Sequence, residues 1–361
     1  MVLSMLPDWT KLQSQAIDLL RFPMAVAVVM LHYGMTVIED ATGALRVVCI
    51  LFEEGVFRLA VPWFFLVSGY LFFRNLQEWD WAIWIGKIRR RIRTLMIPYI
   101  LWIIIAFFAF WAYDAIQGGR TTIVEQFIKD GGIRIFWGTN GMFPISVRSA
   151  PLNSALWFVR DLIYYTLATP LIYLFITKTK RYGVWIVSVV FLFARGIIPE
   201  GFVFFLLGSF FQLERKNMCE WAWPRRLVLC CSALLLLIVF YCLNVNGVDY
   251  WGRFIKNCFL FVGVGTVFCV AVWVLRRWKM KVNPLFVRSS YFVFATHEIL
   301  ILRQISIPLV GRMIPISGQI WDCLRFVLIP AITVGICLTL LFVMQRLLPR
   351  TTNLLTGNRG L

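Results

Sequence analysis

The sequence predicts an all-α fold, a polytopic transmembrane helical bundle of about ten spans, in a single integral membrane domain over residues 1–361. Composition is the first reason. Of the 361 residues 60% are hydrophobic and only 15% are charged, and the mean hydropathy is +0.78. A soluble domain is nearer to half apolar and about a quarter charged. The second reason is that the apolar residues form runs, several long enough to cross roughly 30 Å of hydrocarbon.

Ten such apolar runs can be drawn along the chain. They cover approximately residues 17–38, 57–73, 95–113, 155–176, 183–198, 201–213, 227–243, 254–275, 285–302 and 323–345. Lys and Arg are most frequent in the segments that follow the even-numbered runs, and short basic segments are typically cytoplasmic. We therefore predict that both termini lie in the cytoplasm. The same segments account for the net charge of +18 without a nucleic-acid partner.

The cysteines and the N-terminus exclude two other classes of protein. None of the nine cysteines forms a CxxC or Cys/His pattern with metal-ligand spacing, so we expect neither a metal site nor a disulfide framework. The first sixteen residues are polar and amphipathic and lack a small-residue cleavage site. The first apolar run is therefore predicted to be a span rather than a removed signal.

The first apolar run carries Asp18, Arg21 and His32. Ionisable groups are costly inside a bilayer and persist there mainly where they face a cavity or a partner. Arg21 and His32 are eleven residues apart, which on a helix is within ~20° of three turns and gives a rise of ~16 Å. One stripe would hold a molecule at one face and react it toward the other. The alternative is a snorkelling Arg and a His bonded to a neighbouring helix.

The second apolar run also carries polar and small side chains. Arg58 begins the second run, directly after Glu53 and Glu54, and is expected in the same outer half as His32. Ser68 and Gly69 lie in the middle of that run, where a small pair usually permits close helix packing.

The fourth run contains Arg160 and Asp161, and the ninth contains His297 and Glu298. Because adjacent residues on a helix do not face each other, we expect Arg160 and Asp161 each to find a partner on another helix. A buried polar clamp between helices would explain the pair equally well.

The two histidines of the chain both lie in apolar runs, at similar predicted depths. Histidine is the side chain best suited to exchange a proton near neutral pH. We therefore predict an acid–base centre, with the residues that follow as candidate catalytic groups: His32, Arg21, Arg58, Arg160, Asp161, His297 and Glu298. Two unrelated histidines, each bonded to a neighbouring helix, remain the alternative.

Two connecting segments are candidates for binding. The predicted inner loop 74–93 ends in GKIRRRIR, whose cations could attract the phosphates of a cytosolic donor or anionic lipid head groups. Positive-inside topology alone would also explain it. With Arg21, the predicted donor-binding cations are Lys87, Arg89, Arg90, Arg91 and Arg93. The long outer segment 114–154 is expected to cover the acceptor side.

Five motifs in chain order resemble the acyltransferase-3 family. They are the Arg-x10-His pair (Arg21, His32), VPWFFLVSGYLFF (Val61–Phe73) preceded by Arg58, LWFVRDLI (Leu156–Ile163), FFLLG (Phe204–Gly208) and SSYFVFATHE (Ser289–Glu298). The resemblance implies a ten-span bacterial inner-membrane enzyme of the stand-alone form. It implies an acyl-CoA donor used from the cytoplasm, with acetyl-CoA as the expected co-substrate and no tightly bound cofactor. The acceptor implied is a hydroxyl of an extracytoplasmic or lipid-linked glycan.

In that family the Arg-x10-His pair is the essential feature, and it falls here on Arg21 and His32; Arg58, Arg160 and His297 are carried over with it. We expect O-acyl transfer in which His32 accepts a proton and Arg58 or Arg160 stabilises the oxyanion, with His297 as orienting group or second proton carrier. Whether an acyl-enzyme forms is left open. A secondary transporter for a sugar or glycan precursor and a non-catalytic membrane scaffold are the alternatives.

Overall fold

A computed structural model describes residues 8–76, 78–118, 122–129, 132, 134–138, 150–194 and 196–357. Within these ranges all of the regular secondary structure is helical. The prediction of an all-α fold is therefore confirmed.

The helices are numbered in chain order. They are α1 (Trp9–Val37), α2 (Gly43–Val48), α3 (Ala60–Phe73), α4 (Trp81–Arg91), α5 (Ile97–Ile116), α6 (Thr122–Lys129), α7 (Arg134–Trp137), α8 (Trp157–Leu167), α9 (Thr169–Phe193), α10 (Glu200–Leu213), α11 (Met218–Ala222), α12 (Arg226–Val245), α13 (Asp249–Trp278), α14 (Pro284–Thr296), α15 (Ile307–Met313), α16 (Gln319–Leu347) and α17 (Pro349–Leu355). Short π-helical or 3₁₀ segments connect several of them, and α6 and α7 lie inside the predicted outer cover.

Among the described residues, seven helical stretches are long and apolar enough to cross a membrane. They are Trp9–Val37, Gly43–Phe73, Trp81–Ile116, Met218–Val245, Asp249–Trp278, Pro284–Met313 and Gln319–Leu347. The pair α8 and α9 would together make an eighth, and α10 is a shorter apolar helix. The protein is thus a multi-pass helical membrane protein, while the count of ten spans and the orientation stay predictions.

Helix α1 begins eight residues earlier than the apolar run that predicted it. Asp8 caps its first turn, because the side chain accepts hydrogen bonds from the N–H groups of Thr10 and Lys11 at 3.1 Å each. Gln13, in the polar extension, is buried and accepts a hydrogen bond from the backbone N–H of Met218 at 2.5 Å. Polar residues therefore continue the helix because tertiary contacts satisfy them.

The predicted loop over 74–93 is wrong in its second half. Helix α4 begins at Trp81, and a π-helical turn (Ile92–Met96) joins it to α5. The reason is that hydropathy excludes charged residues from a span but not from a helix. Lys, Arg, Ala and Ile are adequate helix formers, so the basic segment prolongs the span.

The predicted fourth and fifth spans are divided differently from the expectation. Helix α8 ends at Leu167 and α9 begins at Thr169, so a break falls inside the predicted span 155–176. Within α9 the backbone leaves the helical region at Lys180 (φ 51°, ψ −140°), which lies in the predicted connection 177–182. Pro170 in the first turn of α9 explains the first break, because proline has no N–H to bond back to the carbonyl of Thr166 and its ring clashes with that carbonyl in a continuous helix.

The chain folds into two compact units. The first comprises Met1–Asp80 and Ala168–Val287, and the second comprises Trp81–Leu167 and Arg288–Leu361. The single domain over 1–361 stays a prediction.

In the first unit, α3 and α10 pack backbone to backbone. A Cβ on Gly69 would lie 2.1 Å from the carbonyl oxygen of Phe205, and a Cβ on Gly208 would lie 1.9 Å from that of Leu66. Gly69, in the middle of the second predicted span, therefore permits close packing, as expected.

In the second unit the C-terminal segment is fixed against α5 and the turn before it. The indole Nε1–H of Trp102 donates to the carbonyl oxygen of Leu355 at 3.0 Å. Gly357 has φ +73°, and a Cβ there would lie 2.4 Å from the carbonyl oxygen of Thr94. Both the positive φ and the close approach to Thr94 require glycine at this position.

Candidate functional site

Arg21 and His32 lie on one unbroken helix, since α1 runs from Trp9 to Val37 with Pro23 inside it. The Arg21 guanidinium is 3.5 Å from Asp18, one turn earlier, and both side chains are about a third exposed. His32 is half-buried. The sequence spacing of the two residues thus corresponds to a spacing along one helical stripe.

The last turns of α1 are in contact with a π-helical turn (Cys49–Glu53) of the same unit. Gly34 packs directly on the side chain of Glu53, and a Cβ at Gly34 would lie 2.1 Å from Glu53 Cγ and 2.7 Å from its Cβ. Residues two positions apart point to opposite sides of a helix. The contact at Gly34 therefore supports the turn that carries His32 from the side away from the imidazole.

Glu53 belongs to a partly buried ionic cluster that also includes Glu54, Arg58 and Lys256, here called the Glu53 cluster. Arg58 Nη2 donates to Oε1 of Glu53 and to Oε1 of Glu54, both at 3.0 Å. Lys256 on α13 donates to the other oxygen of Glu54. The Glu53 side chain is fully buried, and Arg58 is about a third exposed. Two carboxylates and two cations therefore meet from three elements, the π-helical turn Cys49–Glu53, the 3₁₀ turn Val56–Leu59 and α13.

The hydrogen bonding of the Glu53 cluster is incomplete. Oε2 of Glu53 and the Nε–H of Arg58 are buried and have no hydrogen-bond partner in the described part of the chain. A buried polar group without a partner costs on the order of 1–3 kcal/mol. Such groups call for an explanation, and one explanation is a polar substrate.

Sequence reasoning did not select Glu53, Glu54 or Lys256 as site residues. The spacing of two adjacent carboxylates four and five residues before Arg58 was a usable signal, because Arg58 could fold back onto both. Lys256 carried no local signal, since it is 202 residues from Glu54.

In the second unit, Arg160 and Asp161 pair with each other. Arg160 Nε and Nη2 lie 2.9 and 2.8 Å from the same oxygen, Oδ1 of Asp161. The expectation that each residue would find its partner on another helix is therefore wrong for Asp161, which pairs with its neighbour, but holds for Arg160, which also bonds to α7. The arginine side chain is long enough to turn back along α8 to its neighbour, and burial of both groups favours the shortest available ion pair.

Arg160 also has a partner outside α8. Its Nη1 donates to the carbonyl oxygen of Trp137 at 2.8 Å. The Trp137 ring stacks near Tyr164 with centroids 5.9 Å apart, and Tyr99 donates its hydroxyl to the carbonyl oxygen of Phe136. Arg160 is 1% exposed, so its charge is enclosed by Asp161, a carbonyl oxygen and aromatic rings.

His297 and Glu298 lie where the predicted ninth span breaks. Helix α14 ends at Thr296, and Ile299 (φ −78°, ψ 88°) and Leu300 (φ 62°, ψ −24°) leave the helical region. His297 is fully buried, with Nδ1 3.1 Å from the carbonyl oxygen of Val293. Glu298 lies 3.3 Å from Arg303. No glycine or proline lies at this break, so it could not be predicted from the residue types.

The segment before α8 packs against α14 within the second unit. Asn153 donates to the carbonyl oxygen of Ala295 at 2.8 Å, and the Phe158 ring meets that of Phe294 edge-on at 5.7 Å. Phe294 in turn lies 6.4 Å from the His297 ring. The structure thus brings the α8 motif and the SSYFVFATHE motif together. His32 and His297 belong to different units, and their shared acid–base centre stays a prediction.

The predicted donor-binding cations lie on α4 and on the π-helical turn after it. Arg89, Arg90 and Arg93 are exposed, whereas Lys87 and Arg91 are half-buried. They share this surface with exposed Trp81 and Ile85. A helix with cations and large apolar side chains in contact with solvent is typical of a membrane interface.

These features indicate a broad class of membrane protein. Arginines, carboxylates and histidines inside apolar helical stretches are typical of membrane enzymes and transporters. In the part of the chain that the structure describes, no three His, Cys, Asp or Glu side chains form a group that could hold a metal ion.

A comparison with known protein families identifies the family of this chain. The family model for the acyltransferase domain of the acyltransferase-3 family matches residues 14–344. The chain therefore belongs to the acyltransferase-3 family. The resemblance predicted from the five motifs is confirmed, and so, at the level of the family, is the expectation of an acyltransferase.

One similar protein is the succinoglycan biosynthesis protein ExoH of Rhizobium meliloti (strain 1021). It is 27% identical over 155 residues, which are 40% of this chain and 36% of ExoH. The match thus spans about a third of the length of that relative. No solved structure matches the chain.

Proposed function

We propose that this protein is an O-acyltransferase of the bacterial inner membrane. It transfers an acyl group, with acetyl as the first candidate, from acyl-CoA to a hydroxyl of a cell-surface or lipid-linked glycan. The observation that carries the proposal is the unbroken helix α1, which keeps Arg21 and His32 on one stripe. Family membership and the polysaccharide role in the name of ExoH support it.

In the proposed reaction the donor binds from the cytoplasmic side. Arg21 attracts the phosphates of the CoA moiety. That the cations of α4 and its following turn also do so stays a prediction, because they belong to the other unit. The thioester of the donor reaches along the α1 stripe toward His32. The fraction of Arg21 that is exposed, about a third, leaves its guanidinium accessible to an anion.

His32 acts as the general base. It takes the proton from the acceptor hydroxyl, whose oxygen attacks the thioester carbon. The tetrahedral intermediate then expels the CoA thiolate, which receives a proton, so that the products are a glycan ester and free CoA. His32 suits this role because neutral imidazole accepts a proton near pH 7.

Arg58 is the better candidate of the two arginines for stabilising the oxyanion. Its Nε–H has no partner among the described residues, and its guanidinium is about a third exposed. All three nitrogen atoms of the Arg160 guanidinium, in contrast, already lie against Asp161 or Trp137. A donor that is fixed before the reaction contributes most where charge develops. Arg160 and Asp161 then serve to hold α8 in place.

The test is a paired analysis of surface glycan. Wild type, His32→Ala and Met35→Ala are expressed at equal membrane levels, and base-labile acyl esters are measured by mass spectrometry. Loss of a general base is expected to reduce esterification by roughly 10²–10⁴-fold. Met35 is exposed on the same helix, so its variant should match wild type.

Two outcomes would contradict the proposal. Normal ester levels in His32→Ala would remove the histidine from the mechanism. Unacylated glycan from the wild type, in a host that supplies the acceptor, would favour the transporter, which predicts substrate flux without an acyl product.

A further inference from the structure

A cavity in the first unit lies outside the proposed reaction. Its volume is about 780 Å³, and α3, α9, α10, α11, the start of α12 and α13 line it. That volume falls in the range of about 300–1,000 Å³ that is typical of sites for small organic ligands. None of the candidate catalytic residues lines it.

The walls of the cavity are mainly apolar, and several of the lining side chains are aromatic. Phe204 and Phe261 contact each other there with ring centroids 5.1 Å apart, and Phe211 meets Trp221 at 5.8 Å. Trp185 lies at the edge of the cavity and is 67% exposed. The cavity therefore opens at a surface that faces hydrocarbon in a membrane. A hydrocarbon chain would fill it, since an empty apolar space forfeits dispersion contacts.

Three cations, Arg181, Lys216 and Arg225, line the same cavity. The second half of α9 begins at Arg181, and α10 ends just before Lys216. Because a short connection joins these two consecutive helices, they run in opposite directions and place both cations at one end. Arg225 directly precedes α12, in the same polar corner between α10 and α12. The cavity therefore has an apolar body and a positively charged end.

These cations remain available to an anion. All three side chains are exposed. Arg225 stacks over Trp221 at 5.0 Å, which fixes its position without neutralising it. Among the described lining residues there is no carboxylate. The nearest counter-charge shown is Glu214, 3.8 Å from Lys216, and both partners of that pair are about half exposed.

We infer that this cavity binds one anionic phospholipid, with an acyl chain between the aromatic walls and the phosphate on Arg181, Lys216 and Arg225. The apolar body argues against free phosphate or a nucleotide, and the three cations argue against a zwitterionic lipid. The predicted orientation puts these cations on the cytoplasmic side, where anionic head groups are available. The inference does not depend on the acyl-transfer reaction.

The chain offers a closely matched control for the test. Arg226 is also exposed and stacks on a tryptophan, Trp223, at 4.8 Å, but it does not line the cavity. Arg215 and Lys178 are likewise exposed cations beside Lys216 and Arg181 that do not line it. The test triple is Arg181→Gln, Lys216→Gln and Arg225→Gln, and the control triple is Lys178→Gln, Arg215→Gln and Arg226→Gln.

The full-length protein in detergent is titrated with phosphatidylglycerol or phosphatidylcholine, and bound lipid is counted by native mass spectrometry. Wild type and the control triple should retain one phosphatidylglycerol, and the test triple should bind it at least about tenfold more weakly. Val262→Trp, which fills the cavity from α13 and keeps the cations, should also lose the lipid. Melting curves establish that each variant is folded.

Three results would overturn the inference. Equal weakening in both triples would mean a general charge effect. Equal binding of both lipids by wild type would remove the role of the cations. Stoichiometric displacement of phosphatidylglycerol by acetyl-CoA or by a polyprenyl phosphate would assign the cavity to a substrate instead.

Discussion

The Glu53 cluster in the first unit and the Arg160–Asp161 pair in the second both hold an arginine against carboxylate, but they are built in opposite ways. The cluster joins residues from three elements and leaves Glu53 Oε2 and the Arg58 Nε–H without hydrogen bonds in the described structure. The pair joins two neighbours in sequence, and the remaining guanidinium nitrogen of Arg160 donates to the carbonyl oxygen of Trp137. The first arrangement retains binding capacity. The second is closed and serves the packing of α8.

The largest effect is expected from the Glu53 cluster. Arg58→Gln leaves the fully buried Glu53 without its cation, which should cost about 3–5 kcal/mol in the free energy of unfolding. The double variant Glu53→Gln, Arg58→Gln removes the unpaired charge and should recover most of that stability. If Arg58 supplies an oxyanion donor, the double variant should still esterify glycan about 10²–10³-fold more slowly. Thermal unfolding and ester mass analysis measure the two effects. A stable, fully active double variant would refute the role of Arg58.

A smaller effect is expected where the cluster meets α1. Gly34→Ala would place a Cβ 2.1 Å from Glu53 Cγ, and because Glu53 is buried and ion-paired, the C-terminal turns of α1 must shift. We expect about 1–3 kcal/mol of destabilisation and a loss of ester formation. Gly335→Ala on α16 is the control, since a Cβ there meets nothing within 4 Å. Equal activity of the two variants would show that Glu53 does not position α1.

The closed pair in the second unit should tolerate replacement as a unit. Asp161→Leu alone leaves Arg160 buried without its carboxylate and should cost about 3–5 kcal/mol. The double variant Arg160→Met, Asp161→Leu should fall close to wild type in stability, because apolar groups of similar volume can replace a buried ion pair. Activity per folded molecule should persist. If the stable double variant were inactive, Arg160 or Asp161 would belong to the chemistry after all.

The smallest effect is expected at Arg303. Its guanidinium is 3.3 Å from Glu298, but its side chain is 55% exposed, so water screens the pair. Arg303→Gln should change the free energy of unfolding by about 0.2–1 kcal/mol and leave glycan esterification unchanged. Chemical denaturation measures the first quantity. A change of several kcal/mol would show that Glu298 depends on this cation.

The sequence predicted some features of this fold and missed others. Hydropathy predicted where most helices lie, and the five motifs predicted the family. Hydropathy placed the start of α4 in a loop, because a charged helix and a charged loop have the same hydropathy. It also missed the breaks at Ala168 and after Glu298. The latter is set by Ile299 and Leu300, residues that favour regular structure elsewhere.

By itself the sequence determined the helical membrane class, the family and the alignment of Arg21 with His32, because all three depend on composition, order or spacing along one chain segment. The tertiary structure alone decided that Lys256 meets Glu54, that Glu53 packs on Gly34 and that Arg160 turns back to Asp161. Those choices depend on which residues far apart in sequence are brought together and on which charges lose their water. Local patterns record neither.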